Sequence, residues 1–162
     1  MNNNKIVFFQ GKRVCVGQIK HWSFDERLDM ADKNPLNQKR WECLQTLVRV
    51  WTTRDTAPLK DILSPSFSYS SAWVKESLEG PAAYIDYLSG KFETLAKTRS
   101  DICVEVVTLR EALHPQFYSY ALLITQDQKI QVIVGLAFKE DRIESMSMAD
   151  PEIYTYDRRA VI

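Results

Sequence analysis

At 162 residues, 45% hydrophobic and 26% charged, the chain has the size and composition of one soluble globular domain with its own core. Its 21 basic and 21 acidic residues cancel, and no basic run stands out, which argues against a nucleic-acid binder held by phosphate neutralisation. Cys15, Cys43 and Cys103 are odd in number and widely spaced, so no disulfide framework or zinc site is expected; no apolar stretch is long enough for a signal core or a bilayer span, and the expected location is cytoplasmic.

In chain order, residues 5–9 and 13–19 are β-rich runs around Gln10-Gly11 and predict a hairpin. Residues 25–33 are polar and read as a short helix or an irregular connector, and Asn34-Pro35 breaks the chain. Helix one is predicted over 36–53, where Trp41, Leu44, Leu47, Val48 and Trp51 fall at helical spacing. A short helix over 57–63 follows and is expected to end at Pro65. Phe67, Tyr69, Ser71 and Trp73 then alternate as one face of a strand. Gly80 opens helix three, whose stripe is Tyr84, Leu88, Phe92 and Leu95, with Tyr87 beside it.

The remainder reads as strands over 101–109, 116–125, 129–138 and 143–148. Helices followed by adjacent antiparallel strands argue for α+β. The tail from Asp150 to Ile162 reads as an extension over the body or a partner.

Three local signals occur in a telling order: the helix-one stripe, the strand–Leu78-Glu79-Gly80–helix unit, and the closing hairpin over 136–146. Together they resemble the nuclear-transport-factor-2-like superfamily, which includes ketosteroid-isomerase-like and SnoaL-like proteins. The resemblance covers about Leu36 to Pro151. It implies a cystatin-like, cone-shaped fold in which a bent antiparallel sheet wraps a long helix, with two further helices and a conical cavity. It also implies a homodimer paired through the sheet. The division is an N-terminal extension over 1–34, a domain over 35–151 and a tail over 152–162. The hairpin departs from the family pattern; joining the sheet edge is its first reading, ahead of covering the pocket or swapping onto a partner.

The isomerase branch uses a carboxylate base with a tyrosine and a protonated acid as oxyanion donors. Aligned on this chain, the base falls on Ser71 or Ser70, the tyrosine on Leu47 and the acid on Val134. None of these side chains can do that work. His21 and His114 lie in the N-terminal segment and a turn, not on an inward strand face. No nucleophile elbow, phosphate-cradling loop, metal set or cofactor motif is present, and none of those ligands is expected.

The aromatic residues Trp51, Tyr69, Trp73, Tyr84, Tyr118 and Tyr120 come from elements that surround the family's cavity and suit an apolar or aromatic ligand. The alternative is that they pack a core or a dimer face; Leu122 and Ile124 continue the face of Tyr120. Leu47, Leu88, Val134, Phe138 and Met146 complete the expected pocket wall, and Ser71 and Asp150 are the candidate polar groups. Asp150 sits in phase with Met146 and Met148, though an acid before Pro151 is as readily a turn residue. Small-molecule binding without recognisable isomerase chemistry ranks first. An enzyme with a divergent polar set (Tyr69, Ser71 and Asp150) and a dimeric interaction module are the alternatives.

Overall fold

The computed structural model describes residues 6–9, 12–15, 35–109, 120–153 and 156–158. Helix α1 is Pro35–Thr53 and α2 is the single turn Leu59–Ile62. Strands β1 (Ile6–Phe9) and β2 (Lys12–Cys15) pair with each other. Strands β3 (Leu63–Ser71) and β4 (Val74–Glu79) precede helix α3 (Pro81–Lys97). Four longer strands follow: β5 (Ile102–Leu109), β6 (Tyr120–Gln126), β7 (Ile130–Lys139) and β8 (Arg142–Ala149). A 3-10 turn, Pro151–Ile153, leads to a short β9, Tyr156–Arg158.

The main sheet has the order β4-β3-β8-β7-β6-β5-β9. Every pair is antiparallel except β3 with β8, so the sheet is mixed, which corrects the purely antiparallel expectation. The cause is topological. Short turns reverse the chain between β6 and β7 and between β7 and β8, β5 pairs antiparallel with β6, and β3, entering from α2, runs alongside β8. Register shifts at Leu63/Ser68, Tyr69/Ser71 and Ala137/Phe138 mark where the strands bend, because an extra residue on one side increases twist. The last shift also explains how Ile143 and Met146, three apart, both reach the core.

Four further expectations need correction. Pro65 does not terminate the short helix; Ile62 is its last residue, and Pro65 lies inside β3, exposed in the stretch where the register with β8 shifts. Proline has no ladder N–H to give and is tolerated at such an irregularity. The strand ends at Ser71, so Trp73 occupies a turn, 59% exposed, and β4 is a separate strand. The tail contributes β9 against β5, whereas among the described residues the hairpin β1-β2 forms a sheet of its own. Leu122 and Ile124 face the main core, not a partner, and the Tyr120 ring meets Trp41 edge-on at 5.5 Å.

The core lies between one sheet face and the two long helices. Leu44, Leu47, Val50 and Trp51 from α1 meet Tyr84, Leu88, Phe92 and Leu95 from α3 over Phe67, Val106, Leu122 and Leu136. The outer face carries a second apolar row: Val107, Ala121, Leu123, Ile133 and Ala149. That row is buried within one chain. Among the described residues no helix is long and apolar enough to cross a membrane.

The turn between β7 and β8 pins the first half of α1. Arg40 Nε donates to Glu140 O at 3.0 Å and its guanidinium lies over Phe138, while Lys39 pairs with Asp141 at 3.0 Å. The buried Cys43 thiol donates to Asp141 O at 3.3 Å. At the α3 entrance, Gly80 has φ 85 and ψ 154, a conformation that is essentially glycine's alone, and its N–H donates to Phe67 O at 2.7 Å. Pro81 then starts the helix with a pre-set φ.

Two outcomes follow from these contacts. A Cβ at Gly80 would meet nothing within 4 Å, so Gly80→Ala is a test of backbone strain alone. It is expected to lower unfolding stability by about 1–3 kcal/mol in a urea titration. Burial, aided by the carboxylates of Asp141 and Glu42, pushes the Cys43 thiol up to about 11. The native state therefore holds this proton more tightly than the unfolded chain. The resulting stability is present below pH 9 and is lost as pH rises towards 11. Stability of the parent protein should fall faster than that of Cys43→Ala across this window; parallel curves would contradict the assignment.

Candidate functional site

The start of β5, the end of β6, the start of β7 and the ends of β8 and β3 all lie at one end of the sheet. There the C-terminal turns of α1 and α3 leave a cleft of about 250 Å3. Its apolar wall is Trp51, Leu95, Ile102, Ile124, Val132 and Met148. Its polar groups are Ser71, Tyr87, Lys91 and Gln126, with Trp73 at the rim.

A buried serine supports this end of the molecule. Ser100 O accepts from Arg54 Nη2 at 2.6 Å, and its hydroxyl lies 2.9 Å from that of Thr98. Gln126 Nε2 donates to the same hydroxyl at 3.2 Å, which fixes one edge of the cleft. Below, Asp101 N donates to Asp127 Oδ1 at 2.8 Å and Asp127 N to Asp101 O at 2.9 Å. These bonds tie the start of β5 to the β6–β7 turn, where Asp127 and Gln128 take positive φ.

Lys91 is half-buried in the cleft, its ammonium 5.5 Å from the Trp51 ring centroid. A cation over an indole face is attracted by the ring quadrupole. No carboxylate lies within ion-pair distance of Lys91 among the described residues. Burial holds its pKa below the ordinary lysine value, because desolvation disfavours the ammonium.

Three tyrosines adjoin the cleft. Tyr69 packs on Tyr84 at 4.9 Å and on Tyr87 at 5.5 Å between ring centroids. The Tyr69 hydroxyl donates to Met148 Sδ at 3.6 Å. Burial raises the Tyr69 phenol above its ordinary value, and the nearby Tyr87 adds to that. Tyr84 is more deeply buried, and its phenol is raised by burial first and then by the other two tyrosines. No hydrogen bond reaches the Tyr84 hydroxyl from another described residue.

Of the residues singled out from the sequence, Trp51, Ser71 and Trp73 line the cleft together. Leu47, Tyr69, Tyr84, Leu88, Val134 and Met146 are at most 3% exposed and fill the cone itself. Phe138 packs under Arg40 at the opposite end of the sheet. Asp150 is exposed and outside the lining; its Oδ1 accepts the Glu152 N–H at 2.9 Å, a turn-forming bond. Ser70 is exposed on the other side of β3. His21, His114 and Tyr118 lie outside the described residues. The sequence reading missed Lys91 and Gln126. The signal for Lys91 was its spacing, four after Tyr87 and four before Leu95, which puts a cation on the helix stripe.

No protein-family model and no curated protein matches the chain. Solved structures do. A SnoaL-like polyketide cyclase from Jannaschia sp. CCS1 is 16% identical with a TM-score of 0.53, covering 78% of this chain and 90% of that one. An uncharacterised protein with a cystatin-like fold from Caulobacter vibrioides is 15% identical with a TM-score of 0.52, covering 74% and 93%. An epoxide hydrolase/cyclase-like enzyme of pyran ring formation in the polyether salinomycin is 16% identical with a TM-score of 0.51, covering 73% and 92%. At these identities the likeness establishes the fold: cystatin-like, nuclear-transport-factor-2-like α+β, with an open, curved mixed sheet and, among the described residues, three helices.

The Tyr84 hydroxyl gives this subsection its test. Leaving a buried donor unsatisfied costs about 1–3 kcal/mol, so Tyr84→Phe should be more stable than the parent by roughly 1 kcal/mol. Urea unfolding measures it. A loss of stability instead would reveal a bound partner for the hydroxyl.

Proposed function

We propose that the protein binds a small apolar or aromatic molecule in the cleft at the open end of the sheet. The observation that carries this reading is the wall: indole and aliphatic side chains enclose about 250 Å3, with a few polar groups at its edge. An apolar cavity of about 150 Å3 is enough for benzene, so a compact one- or two-ring compound suits the space. Binding sites of this composition, mostly apolar with few polar groups to fix orientation, are the common pattern for small ligands. Solved structures of the same fold include one described as a polyketide cyclase and one described in pyran ring formation, and hydrophobic cyclic molecules of that kind fit such a wall. Binding is preferred over the catalytic alternative because Asp150 stands apart from Tyr69 and Ser71: it is exposed, outside the cleft lining, and its carboxylate is committed to its own turn.

A neutral two-ring probe, 2-acetylnaphthalene, tests the reading by calorimetric titration. One saturable site per chain is expected. Ile102→Trp fills the cleft from a half-buried position and should abolish binding. Trp73→Ala removes only an exposed rim residue, so it should weaken binding while changing stability by less than about 0.5 kcal/mol. Heat that does not saturate, or binding indifferent to both substitutions, would sink the proposal.

A further inference from the structure

We infer that Lys91 receives the negative end of the ligand, so that the cleft selects aromatic or alicyclic carboxylates over neutral molecules of the same shape. This rests on the cleft being a ligand site and names the class of molecule it takes. Three observations carry it. The ammonium faces the cleft with no carboxylate within ion-pair distance among the described residues, an arrangement that leaves a partly desolvated cation uncompensated. Among the described residues the lining contains no aspartate or glutamate to repel an anion. The other polar groups on the wall, the Tyr87 and Ser71 hydroxyls and the Gln126 amide, can all donate hydrogen bonds.

The positioning is specific. Lys91 shares the stripe of α3 with Leu95, which belongs to the apolar wall, and Trp51 holds its ammonium from below. A ring system seated against Ile102, Ile124 and Val132 would present a carboxylate substituent to the polar side. The cation–π contact with Trp51 keeps the ammonium in place before a ligand arrives. The lowered lysine pKa agrees with a site that gains from an incoming anion, which restores the charged form.

The experiment compares 2-naphthoate with 2-acetylnaphthalene, which share a ring system and nearly a shape but differ in charge. Affinities are measured by calorimetry for the parent, Lys91→Met and Lys91→Arg. Expected for the parent is naphthoate binding about tenfold tighter than the ketone, the margin of a charge-assisted hydrogen bond. Lys91→Met should erase that margin, bringing naphthoate affinity down to that of the ketone, and Lys91→Arg should keep most of it. If both probes bind the parent equally and Lys91→Met changes neither, the carboxylate inference is overturned while the cleft stands as a neutral site. If neither probe binds, the cleft reading itself falls, and this inference with it. A cooperative urea unfolding transition of Lys91→Met shows that the variant is folded.

Discussion

Helix α3 carries two obligations on adjoining rows, and the rest of the molecule is arranged around them. Tyr84, Leu88, Phe92 and Leu95 close the core, while Tyr87 and Lys91, one turn apart, look into the cleft. Side chains at i and i+4 stand one above the other on a helix, so the core row fixes where the second row points. The helix cannot rotate to hide its lysine without lifting its leucines from the sheet. A partly desolvated cation is therefore a consequence of the same packing that makes the domain stable. The Trp51 ring beneath it is part of that packing as well, edge-on to Phe92 at 5.2 Å.

The two ends of the sheet are finished differently. At one end the β7–β8 turn is bound to α1 through Arg40, Lys39 and Cys43, and Arg142 Nη1 donates to Leu63 O at 3.3 Å. Those contacts are short. At the other end the Ser100 group holds the helix termini and the strand ends by single hydrogen bonds with Arg54, Thr98 and Gln126. These contacts lie around the cleft rather than across it. The helices are thus clamped where the sheet closes and propped where it opens, which is how one core of this size retains a concavity.

The helices were legible in the sequence because their stripes are long and their ends are punctuated. The 36–53 stripe matched Pro35–Thr53, and Gly80-Pro81 announced α3. The meander from β5 to β8 was legible for the same reason, with turn residues between β-branched runs. The parallel pairing of β3 with β8 was not, because pairing between strands over seventy residues apart leaves no local trace. Pro65 and Trp73 were misplaced by local rules that tertiary context overrode: a bulge absorbs the first, and a turn two residues early throws the second outward. Among the candidate site residues, alternation put Tyr69 and Val134 on the right face. Alternation cannot tell a residue that fills a cone from one that lines it, since both point inward.

That ambiguity bears on the chemistry. Positions Leu47 and Val134, where an isomerase-like alignment would seek oxyanion donors, are not merely apolar; they are packed against neighbours with no solvent left. Phe67, Tyr69 and Tyr84 occupy the depth of the cone with them, ring on ring at 4.9 to 5.2 Å. Filling the depth moves the usable space to the rim, and it changes which ionisable groups a ligand meets. Carboxylates suit a deep, dry site, where burial can keep an acid protonated and donating. At a rim half open to water, a lysine beside an apolar wall is a device for holding an anion rather than for abstracting a proton. The aromatic residues that close the cone thus also decide the sign of the cleft, by leaving Lys91 as the one ionic group among the described residues that line it.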